Sequence, residues 1–219
     1  MDKCYTEEQL DLFHQPARIL VAGFSNSGKS ELVAKIVEKY HEKFTHIIVC
    51  GVAHHPLQKL EVIKKKLVLH ENIIDPLSVV DEEEKSSILF ILDDIFLEAA
   101  ENKTVANAFI KGRHHSLSVI MVTQNAYFQG KFARTISLNC THYILLRMRD
   151  LSQVECLARQ IHGSLLSKKF VEVYKAAVLQ KPFTYLLVDL SINNHEDLHL
   201  RSLIANEWPC EVVYLKWKD

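Results

Sequence analysis

Short apolar runs alternate with longer segments of mixed polarity along most of this chain. The runs are apolar at most successive positions, which is typical of strands covered on both faces. They lie at residues 17–23, 46–51, 67–70, 88–93, 118–123 and 142–147. Because helical or polar segments separate them, they predict a mostly parallel sheet flanked by helices, which is an α/β fold. Two later segments, 183–191 and 211–217, are predicted to be strands at the sheet edge.

Helices are predicted where apolar residues recur at helical spacing. The clearest case is the segment 30–44. Its apolar face carries Leu32, Val33, Ile36, Val37 and Tyr40. We predict further helices over residues 96–112, 151–163 and 165–180. The sequence TEEQ at 6–9 is typical of a capping box, which predicts a short leading helix.

The composition limits the class of protein. With 219 residues, the chain is long enough for one α/β domain and too short for two ordinary domains. No apolar run approaches the ~20 residues that span a bilayer, and the first residues lack a signal-peptide pattern, so we expect a soluble, intracellular protein. Five scattered cysteines favour reduced thiols. The net charge of −1 excludes a globally basic nucleic-acid-binding protein, but not a local basic patch.

The segment 23–30, GFSNSGKS, matches the phosphate-loop pattern G-x-x-x-x-G-K-[ST]. A predicted strand precedes it and a predicted helix follows it, as the pattern requires. Glycine permits positive φ, so successive backbone N–H groups can surround a phosphate at the helix N-terminus. Lys29 would reach the β- and γ-phosphates and Ser30 would bind Mg²⁺, whereas the alternative is a glycine turn without a ligand. The predicted nucleotide-binding residues are Gly23, Ser25, Asn26, Ser27, Gly28, Lys29 and Ser30.

A second motif, ILFILDDI, ends a predicted strand in two carboxylates. Asp93 can hold the water shell of Mg²⁺, and Asp94 can polarise the attacking water. We therefore assign Asp93 to metal binding and Asp94 to catalysis. The alternative for Asp94 is to cap the predicted helix that follows it, and both roles can coexist.

A glutamine and four arginines complete the set of candidates. Gln124 follows the predicted strand SVIMVT and could sense the γ-phosphate or orient water, with a simple turn residue as the alternative. A guanidinium matches the charge of a transferring phosphoryl group, so each arginine is a candidate arginine finger. Position alone favours none of them, and a surface salt bridge is the alternative for all. They are Arg113, Arg134, Arg147 and Arg149.

The motifs favour one class of function and leave a second open. A GTP switch is disfavoured because Asn102 and Lys103 are followed by Thr-Val rather than by the aspartate of a base-reading motif. A small-molecule kinase usually has an arginine-rich lid soon after its phosphate loop, whereas the arginines here lie late in the chain. A motor ATPase fits the motif order better. The alternative is a non-motor ATPase that acts as an assembly switch or small-molecule kinase.

Four segments resemble a known family: AGFSNSGKS, ILFILDDI, residues 112–150 and residues 183–204. They are similar to the genome-packaging ATPases of Maverick/Polinton elements and their viral relatives, which belong with the poxvirus packaging ATPase in the FtsK/HerA group. The resemblance covers roughly residues 15–205 in order. The segment 112–150 is far more specific than a phosphate loop alone.

The resemblance implies a P-loop NTPase of the RecA/ASCE type. Such a protein forms a pentameric or hexameric ring and hydrolyses ATP with Mg²⁺ to move double-stranded DNA into a capsid. The resemblance also implies that Gln124 is the sensor and that Arg113 reaches the neighbouring subunit's nucleotide, with Arg134 as the next candidate. Asn139 lies where the group often couples nucleotide state to DNA. The group often has Glu at the position of Asp94, and the shorter acid reaches less far.

We expect residues 1–219 to form a single P-loop ATPase domain. Residues 1–14 would be a leading helical segment, 15–150 the nucleotide-binding core, and 151–219 the C-terminal helices and edge strands. The expected partners are double-stranded DNA, other copies of the chain, and a capsid or portal protein. The resemblance places such a protein in the infected host cell or with the virion.

Overall fold

The computed structural model describes residues 11–51, 54–79, 86–179, 181–192, 198–202 and 212–213. The capping box predicted at residues 6–9 lies outside these ranges. Residues 11–14 are in a turn, where Leu12 and Phe13 are buried against the core. Most of the predicted strand over residues 211–217 also lies outside the described chain.

Nine strands form one sheet in the described chain. They are β1 Arg18–Ala22, β2 His46–Cys50, β3 Leu67–His70, β4 Ile88–Leu92, β5 Leu117–Thr123, β6 His142–Leu145, β7 Leu186–Asp189, β8 Leu200–Ser202 and β9 Val212–Val213. Their order across the sheet is β3-β2-β4-β5-β1-β6-β7-β8-β9. Neighbours from β3 to β6 are parallel, and the last three pairs are antiparallel. The predicted mostly parallel sheet is confirmed, and β8 is a strand that the apolar pattern missed.

The central position of β5 brings three strand ends together. β5 lies between β1 and β4, with Leu20 opposite Met121 and Ile91 opposite Ile120. The carboxyl ends of parallel strands meet at one edge of a sheet, which is where ligands bind in open α/β folds. The phosphate-loop motif after β1, the two aspartates after β4 and the glutamine after β5 therefore adjoin.

Helices cover both faces of the sheet. They are α1 Lys29–Tyr40, α2 Phe96–Glu101, α3 Lys103–Lys111, α4 Ala133–Asn139 and α5 Leu151–Val178. In β1, Ile19 and Val21 pack in the buried cluster that contains the apolar face of α1, whereas Leu20 and Ala22 pack in the cluster that contains α2 to α5. Ile19, Leu20 and Val21 each contribute about 1.5–3 kcal/mol when they are fully buried. This two-sided burial explains why the strands are continuously apolar.

The single helix predicted over residues 96–112 is wrong. The structure has two helices there, and Asn102 separates them with an extended backbone. Asn102 Oδ1 accepts hydrogen bonds from the backbone N–H of Thr104 at 2.8 Å and of Val105 at 3.3 Å, so the side chain begins the second helix. By contrast, the two predicted helical segments of α5 are confirmed, because Gly163 interrupts α5 with φ 77° and ψ 174°.

A buried ionic cluster joins the antiparallel strands to the parallel sheet. Asp189 Oδ2 accepts a hydrogen bond from Arg201 Nη2 at 2.8 Å, and Asp189 Oδ1 lies 3.3 Å from His142 Nε2. Arg201 is fully buried and Asp189 is 1% exposed. Hydrogen bonds and the adjacent His142 outweigh the effect of burial and hold the pKa of Asp189 well below its usual value. The cluster therefore fixes the edge strands by charge as well as by packing.

Three cysteines in the described residues carry free thiols. Cys50 and Cys140 are buried and Cys156 is partly exposed. None of the helices described here is long and apolar enough to cross a bilayer.

Candidate nucleotide site

The loop between β1 and α1 has the backbone of a phosphate loop. Gly28 precedes α1 with φ 90°, and no side chain caps the helix. A Cβ at Gly28 would lie only 2.9 Å from Cδ1 of the exposed Phe183, and the positive φ itself favours glycine. The N-terminal N–H groups of α1 therefore have no side-chain cap and suit an anion.

Lys29 lies across this loop. Its Nζ donates hydrogen bonds to the carbonyl oxygens of Gly23 at 2.8 Å and of Phe24 at 3.0 Å. Burial lowers the pKa of Lys29, and the nearby carboxylates of Asp93 and Asp94 oppose this shift. The ammonium group is thus held at the mouth of the loop by two neutral acceptors, which phosphate oxygens can replace.

Ser30 and Asp93 connect the phosphate loop to β4. Ser30 Oγ donates a hydrogen bond of 2.6 Å to Asp93 Oδ2. Asp93 is only 5% exposed and, in the described chain, no hydrogen bond reaches its other oxygen, Oδ1. A hydroxyl and a carboxylate are hard oxygen donors of the kind that Mg²⁺ takes alongside water and phosphate. The two side chains predicted to hold the metal are therefore adjacent, with one carboxylate oxygen open.

His55 is a second partner of the same carboxylate. Its Nε2 lies 3.1 Å from Asp93 Oδ2, although the ring N–H is not aligned well enough for a regular hydrogen bond. Burial alone would raise the pKa of Asp93, but the polar contacts of His55 and Ser30 and the charge of Lys29 outweigh it and lower the pKa. Asp93 therefore stays ionised in its buried position.

Asp94 and Gln124 line a cleft of about 700 Å³ together with Ser25, Asn26, Lys29, Ser30 and Asp93. Asp94 is exposed and has φ 59°, an unusual angle for a residue other than glycine. Its backbone precedes the N-cap of α2, which is Ile95, and no side chain caps that helix. The helix-cap alternative for Asp94 is therefore wrong, and the side chain is left for the cleft.

Gln124 is brought to this cleft by β5. The backbone N–H of Gly23 bonds to the Thr123 carbonyl at 3.2 Å, which ties the end of β5 to the start of the phosphate loop. Gln124 itself is exposed in the cleft. The backbone bends at Gln124, so its position fits both the predicted role and the turn-residue alternative.

The four arginines lie in different places. Arg113 is in the turn that precedes β5, so the seven residues of β5, about 23 Å of strand, separate it from Gln124. It lines a second cleft, at the amino ends of the strands, with Arg18 and His142. Arg113 therefore cannot serve the phosphate loop of its own chain.

The other three arginines do not line the cleft. Arg134 is exposed on α4, and Arg147 follows β6. The Arg149 guanidinium lies 5.6 Å from the ring centre of Phe24, a cation–π contact on the phosphate loop. None of the three contacts Asp94 or Gln124.

Sequence reasoning missed two residues at this site. His55 follows the end of β2, and nothing in its spacing links it to Asp93. Phe183 packs against Gly28 from a segment before β7, and its own φ is 64°. Both contacts join segments far apart in the chain. The one local signal is a His-His-Pro sequence at residues 54–56, a few residues after the apolar strand β2.

No protein-family model and no curated protein matches this chain. Solved structures do. The genome packaging NTPase B204 from Sulfolobus turreted icosahedral virus 2, in complex with ATP-γS, is 15% identical, with a TM-score of 0.56 over 80% of this chain and 93% of B204. With AMPPCP bound, B204 aligns with a TM-score of 0.55. This chain therefore has the fold of a packaging NTPase that is known with nucleotide analogues.

Two ATPases of other systems share the fold. EssC from Geobacillus thermodenitrificans (ATPases 2 and 3) is 12% identical, with a TM-score of 0.57 over 89% of this chain and 41% of that one. The pCW3 conjugation coupling protein TcpA, with ATPγS, is also 12% identical, with a TM-score of 0.53 over 81% of this chain and 58% of TcpA. The predicted P-loop NTPase fold is confirmed. At these identities the comparison shows the fold alone.

Proposed function

We propose that this protein is a Mg²⁺-dependent ATPase. The observation that carries the proposal is the 2.6 Å hydrogen bond between Ser30 of the phosphate loop and Asp93 after β4. It joins the two side chains that would hold the cation, beside Lys29 and at the end of the strand next to β5. The fold shared with NTPases that are known with ATP analogues supports the choice of nucleotide.

Different residues of the cleft have different roles in hydrolysis. The backbone N–H groups from Ser25 to Ser30 bind the phosphates, and Lys29 moves from the carbonyls of the loop to phosphate oxygens. Mg²⁺, held by Ser30 and Asp93, would supply Lewis-acid stabilisation of the phosphate charge. Asp94 and Gln124 orient the attacking water, and Asp94 accepts its proton.

We further propose that the ATPase is a ring-forming motor that moves double-stranded DNA into a viral capsid. Arg113 supports this, because it lies at the sheet edge opposite the phosphate loop and so could complete only another subunit's site. A head-to-tail ring brings opposite edges of identical subunits together. The fold shared with packaging NTPase B204 and the Maverick/Polinton-like segments support the same reading. A motor can push on DNA phosphates without reading the bases, so a chain with near-neutral net charge can translocate DNA.

The test is steady-state ATP hydrolysis with and without double-stranded DNA. It compares the native chain, Lys29→Ala, Arg113→Ala and an equal mixture of the two variants. We expect double-stranded DNA to raise the turnover of the native chain. We expect each variant to lose turnover by at least about 1000-fold, which is the lower end of the contribution of an arginine finger. The mixture should regain part of the activity, because the intact loop of one variant meets the intact arginine of the other.

Arg159→Ala is the matched control, since Arg159 is exposed on α5 and lies outside both clefts. It should retain native turnover. Hydrolysis that ignores DNA, together with a fully active Arg113→Ala variant, would contradict the motor and favour the non-motor ATPase, either an assembly switch or a small-molecule kinase. An inactive native chain that binds no ATP would contradict both.

A further inference from the structure

We infer that His55 is a positioning residue for the nucleotide site, and that its imidazole holds Asp93 in the orientation that binds the divalent cation. The inference rests on the proposed function and adds to it a residue that no sequence motif contains. It concerns a contact between two side chains that are both nearly excluded from solvent: His55 is 3% exposed and Asp93 is 5% exposed.

The backbone around His55 fixes which ring nitrogen faces Asp93. The N–H of Leu57 donates a 3.2 Å hydrogen bond to His55 Nδ1. A nitrogen that accepts a hydrogen bond carries no proton, so in the neutral ring the proton is on Nε2, the atom 3.1 Å from Asp93 Oδ2. The imidazole therefore presents a donor to the carboxylate rather than a lone pair.

Several local contacts support the segment that carries His55. Gln58 Oε1 accepts the backbone N–H of His55 at 3.2 Å, which completes a reciprocal capping box. Pro56 follows within the 3₁₀ turn, and Leu57 is fully buried. A side chain whose own position is set by packing and hydrogen bonds can hold a partner side chain in place.

Ser30 and His55 contact the same oxygen of Asp93, since Ser30 Oγ and His55 Nε2 both lie against Oδ2. When Ser30 turns its oxygen to a ligand, His55 remains to orient the carboxylate, and Oδ1 stays open. Partners of ligating side chains typically change metal affinity or activity by about 10–100-fold when removed.

The test measures Mn²⁺ binding by electron paramagnetic resonance in the presence of a non-hydrolysable ATP analogue. It uses the full chain and the variants His55→Ala, His55→Gln and His54→Ala. We expect His55→Ala to weaken Mn²⁺ affinity at least about 10-fold. Affinity for the nucleotide without metal should stay within about twofold of the native value, because the phosphate loop is untouched. The glutamine amide can donate a hydrogen bond from a similar reach, so His55→Gln should recover most of the loss.

His54→Ala is the matched comparison, because His54 is exposed, lines the same cleft and, in the described chain, has no ion pair with Asp93. It should bind Mn²⁺ as the native chain does. Native Mn²⁺ affinity in His55→Ala would overturn the inference, and so would equal losses of metal-dependent and metal-free nucleotide binding. A native chain that binds neither nucleotide nor Mn²⁺ would overturn the proposed function itself, which is a distinguishable result.

Discussion

Two buried carboxylates in this protein have similar surroundings and different degrees of pairing. Asp93 is 5% exposed and Asp189 is 1% exposed, and each has a histidine Nε2 within 3.3 Å. Asp189 also accepts a 2.8 Å hydrogen bond from the buried Arg201, so its charge is matched within the fold. Asp93 has no such cation, because Lys29 is bonded to loop carbonyls instead.

This difference in pairing indicates that Asp189 stabilises the fold, whereas Asp93 is available to bind a cation. Two side chains share a single oxygen of Asp93, and its other oxygen is without a hydrogen bond in the described chain. A buried charge that lacks a full partner is costly, and the cost falls when a cation arrives. We therefore expect the same substitution to impair activity at Asp93 and stability at Asp189.

The largest expected effect is that of Asp93→Asn on ATP hydrolysis. Removing the charge removes the acidic ligand of the cation, whose contribution to catalysis is several kcal/mol, so turnover should fall at least about 100-fold. The free energy of unfolding should change by no more than about 1 kcal/mol, because the amide oxygen still accepts from Ser30. Urea unfolding measures the change in stability, and steady-state ATP hydrolysis measures the change in turnover. A large loss of stability would place Asp93 with the structural carboxylates.

Asp189→Asn should show the opposite behaviour. The buried Arg201 loses its anionic acceptor, and breaking a buried pair typically costs about 3–5 kcal/mol. Turnover per folded molecule should stay close to native, since Asp189 lies at the amino end of β6, away from the phosphate loop. The comparison fails if this variant unfolds at the same urea concentration as the native chain. It also fails if the variant loses turnover while remaining as stable as the native chain.

A smaller effect is expected in the acid dependence of stability. The pKa of Asp189 is lower in the folded chain than its unfolded value of about 3.9. Its contribution to stability is therefore fully present above about pH 4 and is lost as pH falls through the folded pKa. The native free energy of unfolding should decline steeply below about pH 4, and Asp189→Asn should flatten that decline. If the unfolding free energy of the native chain and of Asp189→Asn fell equally with pH, the predicted contribution of the charged cluster would be contradicted.

The sequence predicted the nucleotide site to the extent that its parts are local. The phosphate loop is a contiguous motif, and its glycine at the helix start was found to have the positive φ that the pattern requires. Asp93 and Asp94 could be assigned because a continuously apolar strand ends in them. The helix break at Asn102 was missed because a side-chain cap inside a helical pattern has almost the same apolar spacing as an unbroken helix.

Other features of the site depend on contacts that no spacing encodes. His55 reaches Asp93 across 38 positions of the chain, and Phe183 reaches Gly28 across 155. The sequence could name Arg113 as a candidate but could not place it at the edge opposite the phosphate loop. That placement needs the parallel pairing of β5 with β1, which brings the starts of the two strands to one edge and their ends to the other.

The sequence by itself determined the parallel strands, the phosphate loop and the two carboxylates after β4, because these depend on local apolar patterning and on the φ angles that individual residues allow. Only the tertiary structure decided which carboxylate is fully paired and which is open. Asp189 and Arg201 meet across an antiparallel pair, and Asp93 meets His55 beyond the carboxyl ends of the neighbouring parallel strands β4 and β2. Charge pairing between strands depends on register and burial, and those properties exist only once the sheet has formed.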